Sequence, residues 1–522
     1  MYVLITLLLF VLAIATIVIL RFVRSMLSYA WLAAALGGLI SWMSVFLWQL
    51  DMPRQFSPSL WTPLTLFSTS PEWMVDSYSW LYALALVTLA GAVILTSPAR
   101  TSLTVNTAAW AGSLALTVLA LLAVLADNPL TLVLVWTAID IAEFFNTLRA
   151  SDSPSLSERA VISFSIRGAG TVCALWASVV NTSSGGTFLF ENVSTQTGMF
   201  LLLAAGLRLG VLPLHLAFRS EPTLRRGFGT TLRLTTAATS LILVSRLPFS
   251  SMDLRLVPYL LLLVGFAAFY GGWKWFSARD ELGGRPYWII GMSALSLAAT
   301  LRGNSAGSAA WGTAMLLFGG ISFLYSARHV WFTRILAGLG ILLLGLPFTL
   351  TATGWAGNFP WPVIFWPLFG GAHFLFVAGY IRHLFSAGEI PFSGLPTWAQ
   401  TAYPIGLGLL VVTIIVTGLW GWVGAFQIGF WIAPTVLLVL SGLLGLAAWR
   451  FRRYISIPEF LTSETRVSRF GVMQDFMARG LWTIYRILGR LFGYIANLLE
   501  GDGGLLWTLV LLVLVVTILQ GR

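Results

Sequence analysis

Residues Leu201 to Phe218 read LLLAAGLRLGVLPLHLAF. Sixteen of these eighteen side chains are apolar or glycine, and the exceptions are Arg208 and His215. Arg208 lies between Gly206 and Gly210, and Pro213 follows. A guanidinium at membrane depth is expensive, so it marks a paired site or an ion path. Glycine and proline beside it point to a helix that breaks there and frees backbone groups in the interior.

The rest of the chain fits that reading. Its 522 residues are 58% hydrophobic and 9% charged, with a mean hydropathy of +0.87. This is the composition of a polytopic membrane protein. Apolar runs predict about sixteen spans, at 2–24, 28–50, 78–97, 104–126, 129–149, 158–181, 197–218, 228–247, 256–278, 286–303, 306–328, 331–354, 362–383, 400–422, 428–449 and 503–520. The weakest of these expectations are 228–247 and 286–303. The net charge of +11 follows the positive-inside rule and is no nucleic-acid signature. If Arg21 and Arg24 are cytoplasmic, alternate loops bring Arg100, Arg149, Arg159, Arg219, Arg225, Arg226, Lys274, Arg279, Arg285, Arg328, Arg334, Arg382 and the Arg450–Arg490 cluster to that side. Both termini then face away from the cytoplasm, in a prokaryotic inner membrane. The first span has no basic residues before it, so it does not read as a cleavable signal. The single cysteine, Cys173, excludes a disulfide framework and a cysteine metal site.

Two segments interrupt the rhythm of spans. Asp51–Trp73 carries Pro53, Pro58, Pro63 and Pro71, and reads as turns on the non-cytoplasmic side with Trp61 and Trp73 at the interface. Phe451–Asp502 is too polar to span. From about Phe470 it places Phe476, Trp482, Tyr485, Leu488, Phe492 and Ile495 among Arg479, Arg486 and Arg490. That pattern predicts an amphipathic helix in the cytoplasmic interface, either steadying its own bundle or reaching neighbouring subunits. The expected organisation is a transmembrane bundle over 1–450, a lateral segment over 451–502 and an anchor span over 503–522. A second broken span is expected at 335–355, with Pro347 and the run from Thr351 to Gly357. Paired broken spans are a mark of inverted-repeat transporter cores.

The run Leu207-Arg-Leu-Gly-Val-Leu-Pro-Leu-His215, with Glu221-Pro-Thr223 after it, resembles the antiporter-like subunits of respiratory complex I and of Mrp-type cation/proton antiporters. Their motif reads roughly K-x-P-x-x-P-x-H-x-W-L-P-D-A. Other fragments agree. Met74-Val-Asp76-Ser-Tyr-Ser-Trp80 resembles the entry to the third span, and Val133-Leu-Val-Trp136-Thr-Ala the fifth span. Arg167-Gly-Ala-Gly170 resembles the sixth span of the large chain-L/subunit-A branch. The resemblance covers most of the chain in order and span count. It implies an all-helical fold with an inverted-repeat core, a lateral helix before the last span, and a proton path at mid-membrane. That path is a glutamate in span five and lysines in spans seven, eight and twelve.

This chain departs from that path. Thr137 takes the glutamate position and Arg208 the span-seven lysine position. No charge stands near Trp355–Gly357, where the span-twelve lysine is expected, and Lys274, at a loop boundary, is the one lysine in the protein. Buried lysine can release its proton, whereas arginine, with a pKa above about 12, stays charged. The pathway candidates that remain are Asp140, Glu143, Arg167, Arg208, His215 and Arg233. Asp140 and Glu143 follow Thr137 by one and two turns. Either the acidic role has moved to Asp140, paired with Arg208 or Arg167, or both acids form static pairs near the cytoplasmic interface, Glu143 nearest to it. His215 is a proton shuttle or a brace for the broken helix. Arg233 lies within one residue of the basic site in span eight. Arg167 is expected to order the interface through Asp140. His373 reads as packed or capping rather than as a relay member.

No phosphate loop, metal cluster, haem ligand pair or redox domain is found in the sequence, so no cofactor and no metal are expected. Two functions remain. One is a proton- or cation-translocating subunit of a multi-subunit, energy-coupled complex, such as a proton-translocating oxidoreductase or a carbon-uptake system. The other is an antiporter-like scaffold that has lost conduction and anchors partner proteins. Expected partners are other membrane or peripheral subunits and the lipid bilayer, with no nucleic acid.

Overall fold

The structure is a computed structural model that describes residues 2–23, 27–57, 70–99, 107–149, 154–183, 185, 189–216, 226–343, 345–356, 365–386, 388–420 and 431–450. The predicted lateral segment over 451–502 and the span at 503–520 lie outside the described residues.

The elements are α1 (Tyr2–Phe22), α2 (Leu27–Phe46), β1 (Arg54–Phe56), β2 (Trp73–Val75), α3 (Ser77–Leu95), α4 (Thr107–Val124), α5 (Pro129–Arg149), α6 (Pro154–Ser183), α7 (Thr195–Leu209), α8 (Arg226–Arg246), α9 (Val257–Ser277), α10 (Glu281–Leu301), α11 (Ser305–Leu324), β3 (Ala327–Arg328), α12 (Val330–Leu342), α13 (Leu350–Trp355), α14 (Trp366–Leu384), β4 (Ile390–Pro391), α15 (Thr397–Trp420) and α16 (Ile432–Arg450). Nine helices among the described residues are long and apolar enough to cross a membrane. The two weakest predicted spans also form full helices, α8 and α10, each of 21 residues. Their polarity is buried threonine, serine and arginine rather than a loop.

Helices apolar on every face belong in the middle of a bundle. α3 and α11 are such helices: nearly every side chain of both is buried. α1, α6 and α9 instead carry outward-facing Leu12, Val172, Trp176, Leu263 and Phe266. That is the pattern expected where one helix face meets lipid and the other meets protein. The α3 N-terminus is fixed by a capping box in which Asp76 accepts from the Ser79 N–H and Ser79 accepts from the Asp76 N–H.

The proline-rich stretch after α2 holds more order than turns alone. β1 and β2 pair antiparallel, Gln55 opposite Met74. β3 and β4 form a short parallel pair at the opposite ends of the helices.

Both predicted helix breaks are present. α7 stops at Leu209, earlier than the expected 218. Gly210 takes φ +75°, a left-handed conformation that glycine adopts without a Cβ penalty. Val211 and Leu212 N–H groups both return to the Gly206 carbonyl, at 2.9 and 3.2 Å. The second break separates α12 from α13, and Gly345 takes φ +91° within it.

Candidate functional site: a buried five-charge cluster at the α7 break

Asp140 and Glu143 are three residues apart on α5, so both face the same way, and Trp136 lies one turn before Asp140 on that face. On α8, Arg233, Thr236 and Ser240 recur at three- and four-residue spacing. α6 brings Arg167 and α7 brings Arg208. Gly170 makes the α6–α7 approach possible, because a Cβ there would meet the Arg208 Cγ at 2.6 Å.

Arg208 and Asp140 form a two-pronged pair, with Nη1 to Oδ2 at 2.6 Å and Nη2 to Oδ1 at 2.9 Å. The remaining Arg208 donors reach Ser240 Oγ at 3.2 Å, Thr171 Oγ1 at 3.0 Å and the Arg167 carbonyl at 3.3 Å. The guanidinium also lies 4.2 Å from the Trp136 ring centre, a cation–π contact worth about 2 kcal/mol when desolvated. Trp136 is itself oriented by donating to the Thr239 carbonyl at 3.0 Å.

Arg167 stands between the two acids, with Nε 3.4 Å from Asp140 Oδ1 and Nη1 against Glu143 Oε1. Glu143 also receives Arg233 Nη1 and, at 3.0 Å, the Thr236 hydroxyl. All five charged side chains are at most 4% exposed. Three guanidiniums therefore meet two carboxylates in one connected cluster. Charges so deep must be paired and fully hydrogen-bonded to persist, and the hydroxyls of α6 and α8 serve that need.

Asp140, Glu143, Arg167, Arg208 and Arg233 are thus brought together. His215 is not: its Nδ1 bonds locally to the Pro213 carbonyl at 2.7 Å. Glu143 is wholly buried between α6 and α8, with Arg167 and Arg233 as its charged partners. Thr137 points outward and returns its hydroxyl to the Val133 carbonyl at 2.9 Å. The inner face of α5 belongs to Asp140.

The second break is neutral. His373 on α14 accepts at Nδ1 from the Trp355 indole N–H at 3.1 Å, and its Nε2 bonds the Leu343 carbonyl. An accepting Nδ1 puts the single proton on Nε2, so the imidazole is neutral and caps the end of α12. Thr351 donates to the Leu342 carbonyl at 2.8 Å, and Thr349 caps α13 through the Ala352 N–H. Asn304 closes the far end of α13 at the Ala356 carbonyl, 2.6 Å away. Trp311 packs edge-on to both Trp355 and His373.

A second charged network was not expected from the sequence. Arg226, Arg285 and Arg328 read there as cytoplasmic loop charges. Arg226 and Arg285 are buried at the starts of α8 and α10, and Arg328 is largely buried in β3. Arg226 pairs with Glu281 at 2.6 Å and with the half-exposed Glu389 at 2.7 Å. Arg328 donates to the Leu384 and His383 carbonyls at 2.6 and 3.0 Å, closing the end of α14. The signal available was the scarcity of acids: 19 in 522 residues, so Glu281, in the short loop between two predicted spans, had few competitors for a nearby arginine.

No family model matches this sequence, and no curated protein matches it. Solved structures do. A chain of the membrane-bound sulfane sulfur reductase, an archaeal respiratory membrane complex, is 15% identical, with a TM-score of 0.64 over 99% of this chain and 100% of that one. A chain of the Mrp complex from Dietzia sp. DQ12-45-1b is 15% identical, with a TM-score of 0.67 over 99% of this chain and 62% of that one. A chain of respiratory complex I from Thermus thermophilus is 16% identical, with a TM-score of 0.59 over 84% and 100%. The chain has the fold of these antiporter-like membrane subunits. At such identities the likeness is one of fold.

Proposed function

We propose that this protein is a proton-translocating membrane subunit of a multi-subunit, energy-coupled complex, in which carboxylates rather than lysines take up the proton. The observation that carries the reading is the buried cluster around Asp140, placed beside the α7 break. Asp140 is held by Arg208 and approached by Arg167, so it has two alternative cationic partners. Glu143 stands in the same relation to Arg167 and Arg233. The arginines stay charged throughout and act as fixed counter-charges. A proton arriving at Asp140 neutralises it and frees Arg208 from its ion pair, while Ser240, Thr171 and the Arg167 carbonyl keep the guanidinium in place. His215, beyond the break in sequence, is the shuttle candidate.

The wider architecture belongs to the same proposal. It comprises about sixteen spans, an inverted-repeat core built on the two broken helices, a lateral amphipathic segment over 451–502 and an anchor span over 503–522. Its setting is a prokaryotic inner membrane with both termini away from the cytoplasm. Partner subunits that supply or use the gradient complete the unit.

The test is proton flux through the reconstituted complex. Asp140→Asn lowers flux by at least about tenfold, the scale of a lost general acid–base group, with assembly intact, and His215→Ala lowers it less. Unchanged flux in Asp140→Asn would sink the carboxylate reading.

A second reading has its own observation. The α12–α13 break is neutral and capped, with His373 committed at both ring nitrogens. That favours a scaffold subunit that keeps the fold and anchors partners without conducting. Flux that is absent from the wild-type complex, with partners still bound, selects it.

A further inference from the structure

At the ends of the bundle where α3 and α5 begin and α8 finishes, the structure holds a second polar site, separate from the Asp140 cluster. Arg246 closes α8, and its side chain is only 5% exposed. Among the described residues it makes one hydrogen bond, from Nη2 to Asp76 Oδ1 at 3.2 Å, and its Nε and Nη1 donors are buried with no acceptor. The guanidinium carbon lies 5.8 Å from the Phe190 ring centre, which closes one side. Buried guanidinium donors left over in this way are completed by water.

Carboxylates ring that arginine. Asp76 caps α3 and is about a fifth exposed. Asp127, in the turn between α4 and α5, and Glu72, just before β2, are half-buried. Gln55 of β1 donates to both, at 2.8 Å to Asp127 and 3.2 Å to Glu72. The Asp127 N–H bonds the Glu72 carbonyl at 2.9 Å, so backbone fixes the two together. Burial raises the Asp127 carboxyl above its ordinary range, Arg246 and Gln55 pull it back, and Glu72 and Asp76 push it further up. Three acids against one arginine leave a formal charge of about −2 on this face.

Inward from this ring the polar groups continue. Ser245, next to Arg246, lies 3.4 Å from the Tyr82 hydroxyl and 3.3 Å from Ser308 Oγ, and Ser308 lies 2.8 Å from Ser296 Oγ. These hydroxyls join α3, α8, α10 and α11.

We propose that Asp76, Asp127, Glu72 and Arg246 form a hydrated mouth through which protons enter or leave the bundle, on the face that the arginine distribution assigns to the non-cytoplasmic side. The inference rests on the proton-translocating reading and adds a terminus to it. A metal cation fits poorly: among the described residues no group of three acids converges on one ion, and the guanidinium in their midst repels it. Water suits both kinds of neighbour, because it accepts from Arg246 and donates to the carboxylates. A proton moving along such water needs no coordination shell.

The test reads hydration and charge directly, without flux. In the full complex with Cys173→Ala, Ser245→Cys is treated with a membrane-impermeant cationic thiol reagent on the non-cytoplasmic side, and Leu241→Cys, equally buried and one turn deeper, serves as the control. The expected result is modification of Ser245→Cys at least about tenfold faster than Leu241→Cys. It also prefers the cationic over an anionic reagent by about three- to tenfold, as a net negative site of this size requires. Asp127→Asn removes most of that preference. Gln55→Cys, at the rim, gives the same charge preference should Ser245→Cys fail to assemble. Equal rates at Ser245→Cys and Leu241→Cys, or a rim thiol with no charge preference, overturn the mouth. A labelled mouth in a complex without proton flux overturns the translocation reading instead. Flux without labelling overturns the mouth alone.

Discussion

At the α7 break, freed backbone lies beside five ionised side chains, whereas at the α12–α13 break it lies beside neutral ones. Both breaks use a left-handed glycine, Gly210 in one and Gly345 in the other. Around Gly210, Arg208 spends its donors on Asp140, Ser240, Thr171 and a carbonyl. Around Gly345, the carbonyls of Leu342 and Leu343 are met by Thr351 and His373. None of those Arg208 donors goes to the break itself, where the Gly206 carbonyl is met by the Val211 and Leu212 N–H groups and the Pro213 carbonyl by His215. Charge stands beside one break and not the other, so a broken helix is by itself a fold feature and acquires ion chemistry only from the side chains around it.

The largest expected effect lies at the charged break. Arg208→Ala leaves Asp140 buried with only the more distant Arg167 and destabilises the protein by about 3–5 kcal/mol. Thermal unfolding in lipid nanodiscs measures it. The double change Arg208→Leu with Asp140→Leu recovers much of that loss, because no charge is then left unpaired. If the double variant is as unstable as Arg208→Ala, the cluster is held by shape and not by charge.

At the neutral break the effects are smaller. His373→Ala leaves the Leu343 carbonyl and the Trp355 N–H without their partner, and with water able to enter the vacated space it costs about 2 kcal/mol in total, the low end of the range for two buried groups. Proton flux per folded complex stays at the wild-type level. A His373→Ala variant that folds yet loses as much flux as Asp140→Asn would erase the distinction between the two breaks. Smallest is Thr351→Val, which removes the hydroxyl's contacts with the Leu342 carbonyl and Thr349 Oγ1 at near-constant shape and costs about 1 kcal/mol by the same unfolding measurement.

Much of the fold was legible because apolar length is a strong signal. The span expected at 129–149 is α5 to the residue. The break after Arg208 was readable from Gly210 and Pro213, although α7 stops nine residues before the expected end. The convergence of Asp140, Glu143, Arg167, Arg208 and Arg233 was readable as a set of suspects, since charge at depth demands partners. Which partner each would take was not. Glu143 was placed near the interface because Arg149 follows it, but its surroundings are decided by Arg167 and Arg233, brought from helices 24 and 90 residues away. The roles of Trp136, Gly170 and Ser240 depend on helix-to-helix distance, which one sequence does not encode locally. The Arg226–Glu281–Glu389 network was missed for a related reason: charges near span ends look solvated until a neighbouring element covers them.

α8 carries three arginines, and each is tied to a different part of the chain. Arg226 holds Glu281 and Glu389, Arg233 holds Glu143, and Arg246 holds Asp76. The helix is about 30 Å long at 1.5 Å per residue, so these ties sit near its two tips and its middle. A stiff rod pinned at three places cannot slide or roll at one of them alone. A rigid displacement of α8 therefore strains all three pins at once, so the helix links the acids near its two tips to the one in the interior.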